Sequence, residues 1–331
     1  MEKFRKTVYI ILCVIVILLV ICSLLSIFRN TESRYLKMLD FPRIQFFVAS
    51  LLALILLAIT TRNWRWWDFF LVTGLAGGIF VNGFYLVNYT SLVPPEVPSA
   101  NAIKPTDASF SILVVNVKMT NRNASALINL IKNKKPDIVL AMEIDQWWDE
   151  KLAPVEKGYS YVQKTINEVA YGMVLYSKFP LSQTSVNYLH NKNVPSFETK
   201  VSLSNGKQFS LHCVHPVPPT HFEEFPDNAG QHEIAMQKLG EKINAQNTPV
   251  VVAGDLNDVV WSYVDALTGT QNKLFDVRKG RGFYNSYNAE NIFKRWPLDH
   301  VFVTSEFRLQ ILERLQKIGS DHFPIYVKLV L

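Results

Sequence analysis

Three long apolar stretches come before any alternation of apolar and polar positions in this chain. Val8 to Phe28 runs through apolar or small residues without a charge, long enough as a helix to cross a bilayer. Residues 44–61 and 66–89 repeat the pattern, the last introduced by Trp64, Trp66 and Trp67 and softened by Gly74, Gly77, Gly78 and Gly83. Tryptophan favours the membrane interface, and glycine is tolerated where membrane helices pack closely. Three transmembrane helices are therefore expected, at about 8–28, 44–61 and 66–89. The basic start with Lys3, Arg5 and Lys6 would also open a signal peptide, but the apolar run is long for one and no convincing small-x-small site precedes Arg29. Lys and Arg are spread almost evenly across the two sides, so the first basic flank decides the orientation. It places the N-terminus inside and everything after residue 90 outside the cytoplasm.

The next stretch, SLVPPEVPSANAIKPT, carries four prolines and reads as a stiff, non-helical linker over residues 91–107, separating bilayer from domain. From Ala108 the pattern changes to short apolar runs and amphipathic segments. Phe110–Val117 is expected to be a strand, and Asn123–Asn133 a helix with Leu127, Leu130 and Ile131 on one face. Pro136 stops that helix, and Asp137–Met142 forms the next strand. Further strands are expected at 171–177, 198–203, 208–214, 249–254, 299–303 and 324–330. A helix capped near Asp227 should run to about Ala245. This alternation over 108–331 suits one α/β domain.

Composition agrees with two unlike parts. The 331 residues are 49% hydrophobic with positive mean hydropathy, apolar for a purely soluble chain. All seven histidines follow residue 189, and the net charge of +6 divides as +5 over residues 1–106 and +1 over residues 107–331. A nearly neutral domain gives no special support to binding a duplex backbone, which generally calls for a basic face. Cys13 and Cys22 lie in the first apolar run, leaving Cys213 alone in the domain, so no disulfide framework exists there.

Polar residues recur where the apolar strands end: Asn116, Glu143, His215, Asp255 with Asn257, Asp299 with His300, and Ser320, Asp321 and His322. Open α/β sheets place sites at such ends. Extended geometry continued through VVVAGDLN would put Asp255 and Asn257 on one side. The donors are oxygen-rich with histidine and no usable thiol, which favours Mg²⁺ or Mn²⁺ over zinc.

The ordered set Asn116, Glu143, His215, GDLN at 254–257, LDH at 298–300 and SDH at 320–322 resembles the endonuclease/exonuclease/phosphatase superfamily, the deoxyribonuclease I-like phosphoesterases. With three spans in front, the whole chain looks like a membrane-anchored branch. The resemblance implies a four-layer α/β/β/α sandwich of two mixed sheets. It implies a metal site with Glu143, Asn116 close by and Asp321 as a further ligand. It also gives Asp255 the attacking water, Asn257 a non-bridging oxygen, and His322 the phosphate, with Asp299 orienting it. His215 becomes a phosphate contact or leaving-group acid, and Tyr171 and Arg295 become substrate-binding candidates. Where relatives often carry Trp-Asn and a Gln before the metal Glu, this chain has Val115-Asn116 and Met142. His300 would point away from Asp299 and, like His212 and Cys213, reads as structural. His190, His221 and His232 read as loop or helix-surface residues.

The expected activity is divalent-metal-dependent hydrolysis of a phosphodiester or phosphomonoester of a lipid, a small molecule or, less favoured, a nucleic acid. The competing reading is a non-catalytic, membrane-tethered binding module retaining the fold; such modules usually lose ligands, and here no motif is broken.

Overall fold

The computed structural model describes the chain except residues 1, 30–32, 103, 105–106, 219–229, 263–265 and 267. Four helices open it: α1 (Glu2–Leu25), a short α2 (Arg34–Met38), α3 (Arg43–Thr60) and α4 (Trp66–Leu86). Three of them, over Lys3–Leu25, Arg43–Thr60 and Trp66–Tyr89, are long and apolar enough to cross a membrane. They pack together through Leu12, Val16, Ala53, Leu57 and Leu75, while most other apolar side chains of α1 and α3 face outward. Gly78 lets α4 approach α1 until an added Cβ would stand 3.2 Å from Ser23 Oγ.

The rest follows as β1 (Ser109–Asn116), α5 (Ala124–Lys134), β2 (Ile138–Met142), α6 (Gln146–Glu156), β3 (Tyr161–Thr165), β4 (Met173–Ser177), β5 (Leu181–Asn187), β6 (Ser196–Ser202), β7 (Gln208–Cys213), α7 (Gln231–Asn244), β8 (Val250–Asp255), β9 (Phe275–Asp276), β10 (Asp299–Val303), β11 (Arg308–Arg314) and β12 (Ile325–Val330). Two mixed sheets result, ordered β11-β12-β1-β2-β4-β3 and β5-β6-β7-β8-β10-β9. Their parallel pairs, β1 with β2 and β7 with β8, need long crossovers, and α5 and α7 lie in the two connections.

Period-two alternation assigns each strand's faces. Ile112, Val114, Val251, Ala253, Val301 and Val303 fill the space between the sheets. Leu113 and Val115 face α5 and α6, while Val250, Val252 and Phe302 face α7. Continuing the inner series by two residues leads from Val114 to Asn116, from Ala253 to Asp255, and from Val301 back to Asp299. Three polar side chains thus enter one end of an otherwise apolar interlayer. His300 and His212 fall on the outer series.

Some elements differ from expectation. The helix expected near Asp227 begins at Gln231, and Asp227 itself, with His221, lies outside the described residues. His232 is not a surface residue: it is 1% exposed, with Nδ1 against the Val217 carbonyl at 3.1 Å. The Pro-rich segment is bound to the domain, not held clear of it. Ala100 donates to Leu309 O, Leu309 donates to Pro98 O (both 2.8 Å), and Glu96 pairs with Lys279 at 2.9 Å.

The end of the helix bundle also contacts the domain directly. Leu86 and Tyr89 share an apolar cluster with Val259, Val260, Trp261 and Leu298. Trp261 donates from its indole to Asp40 O at 2.7 Å, Arg29 reaches the Trp261 carbonyl, and Tyr89 donates to Val260 O at 2.7 Å. Asp40 in turn pairs with the fully buried Arg43, whose guanidinium lies 3.9 Å from the Tyr85 ring centre. Removing a tryptophan's area from water gives up to roughly 4–6 kcal/mol, so this is a firm junction.

Gly254 has φ +152°, and a Cβ there would stand 1.8 Å from the Val214 carbonyl oxygen. Neither backbone can yield without breaking the ladder. Gly254→Ala should therefore cost roughly 3 kcal/mol, a Tm fall of about 6–12 °C in detergent. Gly77→Ala, where nothing lies within 4 Å, is the control and should move Tm by less than about 2 °C.

Candidate active site

Asp255 and Asp299 are direct partners in the antiparallel β8–β10 ladder. Both are at most 1% exposed, so two carboxylates meet away from water. His322, just before β12, resolves the repulsion. Its Nδ1 lies 2.8 Å from Asp299 Oδ2 and its Nε2 3.6 Å from Asp255 Oδ2. Burial works against charging this imidazole, but the carboxylates of Asp299 and Asp255 outweigh it and hold its pKa up at about 10. Nδ1–H therefore faces Asp299, and the ring is an imidazolium at neutral pH.

Second contacts set these groups in place. Ser286 Oγ accepts from the backbone N–H of Leu298 and Asp299 at 3.1 and 3.0 Å. Ser320 Oγ donates to Asn116 O at 2.8 Å and accepts from His322 N–H at 3.0 Å, tying the end of β1 to the histidine. Tyr287 packs its ring 5.0 Å from that of His322.

Asn116 bridges the two sheets. Its Oδ1 accepts from Lys118 N–H at 2.9 Å, which turns the amide nitrogen inward. Nδ2 then donates to Glu143 Oε1 at 2.8 Å and to Asp255 Oδ2 at 3.0 Å. Among the predicted metal ligands, Asn116 thus presents nitrogen donors, and its carbonyl oxygen is engaged elsewhere. Glu143 leaves the β2 ladder at φ +63° and also accepts from Met119 N–H at 2.9 Å. Burial raises its carboxyl above the usual range, against the two hydrogen bonds that lower it. Asp321 stands at the rim, 3.3 Å from Lys118 Nζ.

Asp255 and Asn257 do not continue one strand. The strand ends at Asp255, Asn257 takes φ +54°, and its N–H caps Asp255 Oδ1 at 2.9 Å. Its side-chain amide donates to Pro216 O at 2.9 Å. His215, 3% exposed, places Nε2 3.8 Å from Asp255 Oδ2, and burial lowers its pKa, leaving it neutral at pH 7. Its buried Nδ1 has no hydrogen-bond partner among the described residues. Tyr171, 2% exposed, packs its ring 5.4 Å from His215.

Eight of the ten predicted positions therefore lie in contact with one another, with Asp321 joined to them through Lys118. Arg295 stands apart: its Nε donates to Asn288 O at 3.1 Å and its guanidinium rests 5.1 Å from the Phe323 ring centre. Ser320 is named with Asp321 and His322 from the sequence, without a role, while Lys118, Ser286 and Tyr287 are not found there. Only Ser320, inside the SDH triplet, carried a signal; the others sit in loops without pattern.

Four carboxylates, Glu143, Asp255, Asp299 and Asp321, face two cationic groups, Lys118 and His322. The excess of two negative charges and the oxygen donors fit a divalent cation. Ligand atoms of Asp255, Asp299 and His322 also lie within 4.8 Å of one another. These three are already engaged with each other, which leaves Glu143, half-buried and with no Lys or Arg paired to it among the described residues, as the better pole.

No curated protein matches the chain in sequence. Solved structures share its fold. Zebrafish TDP2 in complex with a single-strand DNA product is 17% identical, with TM-score 0.56 over 67% of this chain and 98% of that one. The human Nocturnin catalytic domain with bound sulfate is 15% identical, with TM-score 0.53 over 67% and 93%. A family protein from Bacteroides thetaiotaomicron is 15% identical, with TM-score 0.52 over 68% and 96%. The sequence itself matches the Endonuclease/Exonuclease/phosphatase family over residues 113–322, nearly the whole span from β1 to His322, and the chain belongs to that family.

Proposed function

We propose that the protein is a membrane-anchored phosphoesterase that hydrolyses a phosphodiester or phosphomonoester with a divalent cation, Mg²⁺ or Mn²⁺. The observation that carries this is the buried Asp255–His322–Asp299 array facing Glu143 across Asn116. The three apolar helices would hold it in a bilayer, with the site on the outer side. A binding module would have no need of a buried array that carries an uncompensated excess of negative charge.

Glu143 would hold the cation, with Asp321 beside it and Asn116 fixing the carboxylate from its nitrogen. The cation would neutralise a phosphate oxygen and stabilise charge developing there. Asp255, held by Asn257 N–H and Asn116, orients a water and accepts its proton. The water oxygen bonds to phosphorus while the bond to the leaving oxygen breaks. His322, kept protonated by Asp299, donates from Nε2 to a non-bridging oxygen as charge builds. His215, neutral and with no partner for Nδ1 among the described residues, contacts the phosphate or passes to the leaving oxygen the proton that Asp255 took from the water. Asn257 and Tyr171 line this end, and Arg295, set apart over Phe323, would meet only a substrate that extends beyond it.

The reading predicts loss of turnover on a water-soluble phosphodiester such as bis(p-nitrophenyl) phosphate. With Mg²⁺, His322→Asn should lower kcat/KM by about 10²–10³-fold, and because it also strips the positive charge from between two buried carboxylates it should lower Tm; a variant with unchanged turnover would remove the proposed role. Glu143→Gln should abolish calorimetric Mg²⁺ binding. Because the Glu143 carboxyl is raised in the folded chain, protons compete with the cation at higher pH than for an ordinary carboxylate. Mg²⁺ should bind at least about fivefold more weakly at pH 5 than at pH 7.5; equal affinities would place the cation elsewhere.

A further inference from the structure

The segment after Tyr287 leaves the catalytic histidine and travels to the membrane helices. Tyr287 bridges to both His322 and Trp296, and its ring stacks with Trp296 at 6.1 Å. Trp296 meets Phe41, just before α3, edge-on at 5.6 Å. At the tip, Gln45 donates to Phe293 O at 2.7 Å. Gln45 is two residues past the start of α3, about 3 Å into that helix, so the tip sits level with the outer end of an apolar span.

The tip's composition is opposite to that of an ordinary loop. Ile292 is 69% exposed and Phe293 82% exposed, consecutive apolar side chains with no protein to cover them. Lys294 follows, exposed, and Arg295 lies over Phe323 at 5.1 Å beside Arg314 at 4.6 Å. Apolar residues at the tip with basic residues behind them match the order of layers at a membrane surface, acyl boundary first and anionic headgroups next. Glu290, at the other side of the tip, is held by Lys118 at 3.6 Å, the lysine that also holds Asp321. One short hairpin therefore spans from the bilayer edge to the site.

We propose that residues 288–296 form an interfacial loop that inserts Ile292 and Phe293 into the outer leaflet. The site thereby opens to the headgroup layer, and its substrate is a phosphoester in the headgroup of a lipid of that leaflet. This rests on reading the helices as membrane-spanning and the site as hydrolytic. The step is unchanged: water adds to the headgroup phosphorus and the lipid or headgroup alcohol leaves with a proton.

The test uses the full chain with its three cysteines replaced by alanine, reconstituted in vesicles of phosphatidylcholine, phosphatidylethanolamine and phosphatidylglycerol. A nitroxide at position 293 should be relaxed more by oxygen than by a water-soluble nickel chelate, the reverse of a nitroxide at the exposed Lys207. Equal behaviour at the two positions overturns insertion. In the same vesicles, Ile292→Ser with Phe293→Ser should lower headgroup hydrolysis at least tenfold and leave bis(p-nitrophenyl) phosphate hydrolysis in place. If wild type cleaves the soluble ester but not the lipids, or the double variant cleaves both as wild type does, the inference fails and the phosphoesterase reading stands. If wild type cleaves neither, the phosphoesterase reading fails with it.

Discussion

Two aspartates facing each other across a buried ladder are the constraint on which the site depends. At the separation of neighbouring strands, like charges in a low-dielectric interior repel by several kcal/mol even at an effective dielectric constant of about 20. The β8–β10 register makes Asp255 and Asp299 partners, and His322 arrives from the other sheet with a positive charge that offsets their repulsion. The histidine is thus held by the same electrostatics that it satisfies. Ser286 and Ser320 fix the backbone at the two points where an error would separate the three groups.

This arrangement needs two sheets. Asn116 and His322 belong to one and Asp255 and Asp299 to the other, so the array exists only when the apolar interlayer is packed. The interior of alternating Val, Ile, Leu and Phe acts as the spacer that brings polar ends to hydrogen-bond distance. At one mouth of that interlayer the apolar series is replaced by Asn, Asp and Glu, which costs packing area and leaves charges to be balanced. The balance falls two short on the positive side, a deficit a divalent cation would fill.

Much of this was legible in the sequence, for a physical reason. Buried strands write their faces in period two, so SILVVN, VVVAGD and DHVFV announce both a core side and a polar exit, and the ordered motifs supplied the pairing that periodicity cannot. The backbone reversals were hidden. Glu143 and Asn257 both take positive φ, and nothing in DIVLAMEID or GDLND marks the residue where extension stops. The side on which Asn116 presents nitrogen was equally illegible, since it depends on a backbone N–H two residues later. β3, β5 and β11 are half-exposed edge or near-edge strands whose mixed polarity left no clear alternation. The burial of His232 leaves no mark in its own helix, because it comes in part from the loop that carries Val217.

The junction between Trp261 and the helix bundle has a consequence for how such a molecule could be used. Only three residues separate Asn257 from Trp261, and that tryptophan is held by Asp40, Arg29 and the aromatic end of α4. The bundle is then part of the scaffold of the loop that follows Asn257. A fragment shed by cleavage in residues 91–107 would surrender that support along with its address. If the bundle spans a membrane and the site is hydrolytic as proposed, shedding would therefore retire the molecule instead of releasing a roaming hydrolase.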